Sequence, residues 1–318
     1  MKPDGFLIAI ALAVVVAFAA PWIGASSGPL HMGAVTDLGV ALVFFLHGAA
    51  VSPAAMKAAV SNWRLHAVIQ ACTYVLFPLI GLAIWSGSAR WLGPDLRLGF
   101  FFLCVISSTI SSSVAMTALG RGNVAGAIFN ATLSGLLGML LTPLLLGLVT
   151  AQGGGASPVV AQVGAIITKL LLPFIVGQLV RPLIALWLER YQAMVGKADR
   201  VVIVLIVYTA FCDAAASGVW THDNATALVL VTILCVAMLA FVLTASTIAA
   251  RALGFTKADE IAAVFCGSKK SLANGAPIAK VIFAGNPALG LILVPLLIYH
   301  QIQLVVCAVI AQRYAERG

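Results

Sequence analysis

The chain has 318 residues, of which 62% are hydrophobic and only 9% are charged. Soluble domains carry about 25% charged residues, so this composition excludes a soluble globular protein and indicates a membrane protein. The net charge of +8 does not indicate a nucleic-acid binder, because the lysines and arginines are scattered singly between apolar runs instead of clustering on one face.

Ten apolar segments follow one another along the chain, each close to the ~20 residues that a helix needs to cross the hydrocarbon core. Their approximate bounds are 6–24, 34–52, 65–86, 96–119, 123–149, 159–187, 201–218, 225–250, 260–284 and 287–312. The first could instead be a cleaved signal peptide, but its length and Trp22 at its end favour a transmembrane helix. The breaks are rich in Gly, Pro, Ser and Asn, as at 153–158, and none is long enough to separate two soluble domains.

The basic residues predict the orientation of these segments, because cytoplasmic loops of membrane proteins are enriched in lysine and arginine. With the N-terminus inside, the inner side holds Lys2, Lys57, Arg64, Arg121, Arg181, Arg190, Lys197, Arg200, Arg251, Lys257, Arg313 and Arg317. The outer side holds only Arg90, Arg97 and Lys280, and Lys169, Lys269 and Lys270 stay at membrane depth. We therefore expect a multi-pass protein with both termini in the cytoplasm, as in a bacterial inner membrane.

Segments four and nine share a pattern that indicates an internal repeat. Asp95 precedes Asn123 by 28 residues, Asp259 precedes Asn286 by 27, and each segment has a polar break in its middle, at 107–113 and 267–271. A five-helix unit that occurs twice must insert in opposite orientations, which is the inverted repeat of secondary transporters. The prediction is an all-α membrane protein of ten transmembrane helices, one transporter domain with repeats at about 1–150 and 158–318 and two discontinuous helices.

The second break places Lys269 and Lys270 in the centre of an apolar segment. A lysine at the centre of a membrane helix costs roughly 2.5–3.5 kcal/mol on insertion scales, so a counterion, a water-filled cavity or a ligand must offset it. Asp213 in segment seven is the best counterion that the sequence offers; the alternative is that it reaches the outer interface near Ser217. Lys169 has a simpler interpretation, a side chain that extends outward to the interface.

Polar residues at both breaks and in neighbouring segments are candidate ligands for a solute or an ion. Six of the seven residues at 107–113 carry a hydroxyl, too many to pack on one seam, so we expect an unwound helix or a cavity lining there. Gln70, Asn130 and Thr132 each have an alternative as helix-packing hydrogen bonds. The candidate binding residues are Gln70, Ser108, Thr109, Ser111, Ser112, Ser113, Asn130, Thr132, Asp213, Ser268, Lys269, Lys270, Ser271 and Asn274.

An enzymatic function is not expected. Ser268 beside Lys269 could suggest a nucleophile–base pair, but neighbours on a helix point about 100° apart. No nucleotide loop or metal motif occurs, and the six cysteines have no metal-ligand spacing, so they are interpreted as small buried hydrophobes. We expect no catalytic residue and no cofactor, with sodium or a proton as the only candidate coupling ions.

Gln70 with Pro78, the serine-rich break followed by residues 119–123, and the stretch 267–271 together resemble the bile acid:sodium symporter family. The chain is most similar to its SBF-like branch, over essentially the whole length. The resemblance implies a secondary active transporter in which helices 1, 2, 6 and 7 form a panel and helices 3, 4, 5, 8, 9 and 10 form a core. It also implies that helices 4 and 9 cross inside the core, that the solute binds between panel and core, and that the two move in alternating access.

The same resemblance shows where this chain departs from sodium-dependent members. Those members resemble Glu-x-Gly-x-Gln-Asn at the second break, where the acid position here is Phe265 and the amide position is Lys269. A Ser-Asn pair of the first break reads Ser113 and Val114. Gln70 and Ser113 remain as possible sodium ligands. We hypothesise that the Lys269 ammonium occupies the place of one sodium ion, either permanently or by losing and regaining a proton.

The function predicted from the sequence is transport of an organic anion or a related small solute, with sodium dependence open. A proton-coupled or uncoupled carrier is the alternative within this class, and a non-transporting membrane regulatory protein is the alternative outside it. The expected partners are membrane lipid and a small, anionic solute, and no nucleic acid.

Overall fold

The computed structural model describes residues 5–51, 62–150, 164–220 and 222–316. All regular structure within these ranges is helical, and no strand occurs in them, which confirms the all-α prediction there. Lys2, Lys57, Arg317, the break at 153–158 and the junction of the two expected repeats lie outside the described residues.

Helices lie in all ten apolar segments. In chain order they are α1 (Gly5–Ala19), α2 (Pro21–Gly24), α3 (Met32–Ala50), α4 (Trp63–Ala71), α5 (Phe77–Gly87), α6 (Pro94–Val105), α7 (Ser111–Leu119), α8 (Val124–Thr150), α9 (Leu172–Arg190), α10 (Gln192–Ala216), α11 (His222–Ala252), α12 (Lys257–Ser268), α13 (Leu272–Ile282) and α14 (Leu289–Glu316). Two π-helical turns, Cys72–Leu76 and Ile167–Leu171, lead into α5 and α9. The chain therefore changes helix type or breaks in segments one, three, four, six and nine.

Six spans of the described residues are long and apolar enough to cross a membrane. They are Met32–Ala50, Trp63–Gly87, Val124–Gly147, Gly164–Leu188, Ala227–Ala252 and Leu289–Glu316. Segments four and nine are not among them because each is divided into two short helices, and the apolar part of α1 is shorter, at Ile8–Ala19. The chain is a multi-pass membrane protein, and ten crossings in an inverted repeat remain a prediction.

The outward face of α9 shows why these helices need lipid. Leu179, Leu183 and Leu186 are between 73% and 85% exposed and follow one another at the spacing of one helix face. A continuous stripe of exposed leucine is unfavourable in water and is stable against acyl chains.

The chain divides into two compact units, each built from three separate pieces. Unit 1 comprises Met1–Val51, Thr150–His222 and Ala276–Leu293, and unit 2 comprises Ser52–Val149, Asp223–Gly275 and Val294–Gly318. Segments one, two, six and seven belong to unit 1, and segments three, four, five and eight belong to unit 2. Segments nine and ten are divided between the units, which differs from a core that contains both of them entirely.

Close packing of α3 and α9 in unit 1 depends on glycine. A Cβ atom on Gly48 would lie 2.0 Å from the carbonyl oxygen of Phe174, and one on Gly177 would lie 2.0 Å from that of Phe45. Neither position has room for a side chain. The two backbones therefore touch directly, as is common where membrane helices carry small residues at their interface.

Small residues also form the centre of unit 2. One buried cluster joins α4, α8, α11 and α12 through Leu65, Ile69, Ala127, Ala250, Ala262, Ala263 and Cys266. All six cysteines are free and buried, as the sequence predicted. Because four of the seven cluster residues are alanines, the backbone of α12 lies close to its neighbours.

A polar network fixes the beginning of α12. The Thr256 hydroxyl caps the helix by accepting the Asp259 N–H at 3.2 Å. Glu260, only 5% exposed, accepts hydrogen bonds from Lys257 Nζ at 2.8 Å, Arg251 at 3.1 Å and the Tyr314 hydroxyl at 3.1 Å. One carboxylate therefore connects α11, α12 and α14.

We expect Glu260→Ala to lower the free energy of unfolding by about 1–2 kcal/mol. This is the lower part of the range for hydrogen bonds to charged groups, because Lys257 and Arg251 remain more than half exposed. Thermal unfolding in detergent measures the effect, with the exposed Glu316→Ala as the matched control. Equal melting temperatures for the two variants would show that this network does not stabilise unit 2.

Candidate functional site

The first break lies between α6 and α7. Helix α6 ends at Val105, Ile106 is extended, and α7 begins at Ser111, so residues 106–110 are not helical. The sequence predicted a break at 107–113. The C-terminal boundary of that prediction is wrong, because Ser111, Ser112 and Ser113 form the first turn of α7. Serine is favourable at helix starts, so a run of serines marks a helix start as readily as an unwound segment.

The second break is shorter than the sequence suggested. Helix α12 continues through Gly267 to Ser268, and α13 begins at Leu272, so only residues 269–271 are not helical. Asn274 and Pro277 lie inside α13. Ser271 explains why α13 can begin there, because its hydroxyl accepts the Asn274 N–H at 3.1 Å and acts as an N-cap.

The two breaks contact each other in unit 2, as the sequence predicted. The Ser271 N–H donates to the Ser107 carbonyl at 3.0 Å, and the Asn274 side-chain amide donates to the Ser107 hydroxyl at 2.9 Å. The Ser108 hydroxyl donates to the Cys266 carbonyl at 2.7 Å. The breaks therefore satisfy part of each other's backbone hydrogen bonding.

Several of the serines expected to line a cavity instead make packing contacts. The Ser113 hydroxyl donates to the Phe265 carbonyl at 3.4 Å, and the Ser108 N–H donates to the Ser134 hydroxyl at 2.9 Å. Ser112 is partly exposed, with its hydroxyl 3.5 Å from that of Thr109, and Ser111 is exposed. The first turn of α7 is therefore accessible near the place where the two breaks meet.

Lys270 is fully buried and its ammonium group is completely hydrogen-bonded. Nζ donates to three carbonyl oxygens, of Thr73 at 3.0 Å and of Cys104 and Ile106 at 2.8 Å each. The backbone N–H and carbonyl of Lys270 are both bound by the Gln303 side-chain amide at 2.8 Å. Carbonyl oxygens therefore hold the Lys270 amine, and the hypothesis that the Lys269 ammonium replaces a sodium ion stays a prediction.

Lys269 is equally buried but has a sparser environment. Nζ donates to the Ser112 carbonyl at 2.8 Å and lies 5.8 Å from the centre of the Phe265 ring. An ammonium group has three N–H donors, so one hydrogen bond leaves it able to bind further acceptors. Unlike Lys270, Lys269 therefore keeps N–H donors that are not hydrogen-bonded among the described residues. Its amine contacts the first turn of α7.

Neither amine has a carboxylate partner within the described ranges, where the ion pairs involve other residues. These ion pairs do not include the pairing expected for Asp213 with Lys269 or Lys270. Asp213 lies in unit 1, where its carboxylate accepts the Ser26 N–H at 2.7 Å and the Ser26 hydroxyl at 2.5 Å. Hydrogen bonds from Ser26 therefore satisfy the acid within unit 1, and carbonyl oxygens satisfy the Lys270 amine within unit 2.

Gln70 and Asn130 come together between α4 and α8. The Gln70 amide donates to the backbone and side-chain oxygens of Asn130 at 3.2 Å each, and Asn130 also bonds His66 Nδ1 at 2.8 Å. Gln70 Oε1 is buried without a hydrogen-bond partner among the described residues. Thr132 bonds back to Ile128 of its own helix. The sodium ion expected at Gln70 and Ser113 stays a prediction, with Gln70 Oε1 as the better acceptor.

The Ser–Lys pair considered for catalysis is not formed. The Ser268 hydroxyl donates to the Val264 carbonyl at 2.6 Å, and the Ser268 carbonyl accepts the Tyr299 hydroxyl at 2.7 Å. The side chain therefore satisfies its own helix, and neither lysine amine contacts it.

Sequence reasoning missed the groups that hold Lys270. Two signals could have indicated them. Pro78 removes a backbone donor five residues after Thr73, and Gln303 is a polar residue in the middle of an apolar segment. The carbonyls of Cys104 and Ile106 carry no side-chain signal at all.

Comparisons with known proteins agree with a transport function. The model of the SBF-like CPA transporter family matches residues 4–316. "Putative symporter YfeH" of Escherichia coli is 44% identical over 284 residues, covering 89% of this chain and 85% of the relative. "Sodium/bile acid cotransporter 7-B" of Xenopus laevis is 34% identical over 316 residues, covering 98% and 91%. The mouse "Sodium/bile acid cotransporter 7" is 32% identical over 312 residues, covering 97% and 92%.

We expect the Ser107–Asn274 hydrogen bond to be measurable as a coupling between the two breaks. In a double-mutant cycle with Ser107→Ala and Asn274→Ala, the double variant should lose about 0.5–2 kcal/mol less stability than the two single variants together. The measurement is thermal unfolding of the purified protein in detergent.

The control cycle combines Ser107→Ala with Thr244→Ala, whose hydroxyl bonds back to Ala240 of its own helix. These two changes should be additive. Additivity in both cycles would contradict the proposed coupling of the breaks through Ser107.

Proposed function

Since the chain belongs to the SBF-like CPA transporter family, a family of transporters and not of enzymes, we propose that it moves a small organic anion across the membrane by alternating access. The observation that supports an anion is the buried Lys269 ammonium, which has one hydrogen bond and no carboxylate partner among the described residues. A buried positive charge is costly, and an anionic ligand offsets that cost.

Lys269 is the residue proposed to bind the anionic group. Among the described residues its amine donates only to the Ser112 carbonyl, while Lys270 uses all three of its donors. Ser111 and Ser112 are accessible and lie in the first turn of α7, the positive end of that helix dipole. An ammonium, two hydroxyls and a helix N-terminus together form an arrangement that attracts a carboxylate or sulfonate.

The proposed setting is a cell membrane, with both termini in the cytoplasm and the bacterial inner membrane as the location. The supporting observation is the excess of lysine and arginine on one side of the ten segments. Coupling to a proton, or no coupling at all, is the alternative to sodium coupling. A membrane protein that binds the solute without moving it is the alternative to transport.

We expect Lys269→Gln to weaken anion binding at least tenfold, because an amide keeps a hydrogen-bond donor but removes the charge, and tenfold corresponds to about 1.4 kcal/mol. The measurement is thermal stabilisation of the purified protein by a panel of bile acids, aliphatic carboxylates and sulfonates, followed by uptake of each stabilising compound into proteoliposomes. A ligand that binds only the native state raises the melting temperature.

The control is Lys169→Gln, which alters an exposed amine at membrane depth and should leave binding unchanged. Stabilisation by neutral or cationic solutes and not by anions would contradict the proposed solute class. Stabilisation without uptake would favour the non-transporting alternative.

A further inference from the structure

The Lys270 ammonium is bound in the way that a small free cation is bound. Its three donors reach the carbonyl oxygens of Thr73, Cys104 and Ile106 at 2.8–3.0 Å, and the Phe77 ring centre lies 4.2 Å from Nζ. Rings of backbone carbonyls replace the hydration shell of monovalent cations in channels. Carbonyls at unwound helix ends bind cations in transporters.

The Thr73 carbonyl is free for this role because of its local sequence. Thr73 lies in the π-helical turn Cys72–Leu76, and the Phe77 N–H donates to the Cys72 carbonyl. The next residue, Pro78, has no N–H to donate. Segment three therefore presents one carbonyl that its own helix does not satisfy.

The other two carbonyls are free because α6 ends. The Ser108 N–H, which would bond the Cys104 carbonyl in a continuous helix, donates to the Ser134 hydroxyl instead. The carbonyl between them, that of Val105, accepts the Thr142 hydroxyl at 2.9 Å. Cys104 and Ile106 thus present carbonyl acceptors at the C-terminal end of α6, where the helix dipole is negative.

The lysine is held in this cage by its own backbone. Gln303 accepts the Lys270 N–H through Oε1 and donates to the Lys270 carbonyl through Nε2, both at 2.8 Å. Gln303 is itself fully buried and bonds His300 Nδ1 at 3.0 Å. The amine can therefore fill the cage at all times, but it cannot leave it as a dissolved ion would.

We infer that Lys270 is a tethered cation, whose ammonium permanently fills a three-carbonyl site that otherwise takes a monovalent cation. The consequence for transport rests on the proposed function: solute movement would need no sodium or potassium ion to bind and leave at this place. The cage itself is independent of that function.

The test removes the side chain and offers the cage a free ion. Wild-type protein and Lys270→Ala are purified in detergent, and melting temperatures are measured in chloride salts of sodium, potassium, ammonium and choline at equal ionic strength. We expect the same wild-type melting temperature in potassium, ammonium and choline. Sodium is left out of that comparison because the wild type keeps the sodium site predicted at Gln70. The variant should melt several degrees lower in choline, and at least one small cation should restore the loss saturably. Lys169→Ala, which shortens an exposed lysine, should behave as the wild type does.

Two outcomes would overturn the inference. One is a Lys270→Ala protein whose melting temperature is the same in every salt, since an empty cage should bind a small cation. The other is saturable stabilisation of the wild type by potassium or ammonium, which a filled cage should not bind. The wild-type series can therefore overturn the inference even if the variant does not fold. No solute is used, so failure here leaves anion binding at Lys269 intact, and failure of anion transport leaves the tethered cation intact.

Discussion

A positive amine and a set of unpaired carbonyls stabilise each other at the centre of unit 2. A helix that breaks inside a membrane leaves carbonyl oxygens that lipid cannot satisfy, and a buried ammonium has the complementary deficit. Lys270 removes both deficits. Its amine donates to the Thr73 carbonyl in the π-helical turn and to the Cys104 and Ile106 carbonyls at the end of α6. The cost of a charged residue at membrane depth is thereby offset without an acidic partner among the described residues.

This interaction requires the backbone segments to lie close together. Four alanines and a cysteine make up most of the buried cluster around α12, so helices approach at distances that larger side chains would prevent. Ser107 also contributes to this close contact, because its carbonyl and its hydroxyl each accept a hydrogen bond from the second break or the helix that follows it. Small polar residues here serve packing and backbone satisfaction together, which is why six adjacent hydroxyls do not line a single cavity.

The two adjacent lysines have different surroundings and therefore different capacities. Extended backbone at the break directs one amine to the carbonyls at the end of α6 and the other to the first turn of α7. The first is saturated by acceptors, whereas the second retains donors beside accessible serines. Lys270, whose charge holds the two breaks together, and Lys269, whose charge is available to a ligand, are thus adjacent in the chain. In this arrangement the Lys270 charge stabilises the fold, and the Lys269 charge is left for the proposed anionic solute.

The sequence by itself determined the membrane class, the helical segments and the two breaks, because the hydrophobic length of a span and the cost of buried lysine are properties of composition. The sequence also identified Gln70 and Asn130 as candidate ligands, because they are polar residues in apolar segments. It could not decide which lysine the carbonyls bind, or that Asp213 bonds Ser26, or that Gln303 holds the break. Each of those contacts includes a backbone N–H or carbonyl group, and the residue types do not predict which of these groups is free. Only the tertiary structure, by ending α6 at Val105 and placing Pro78 after a π-helical turn, determined which oxygens are free.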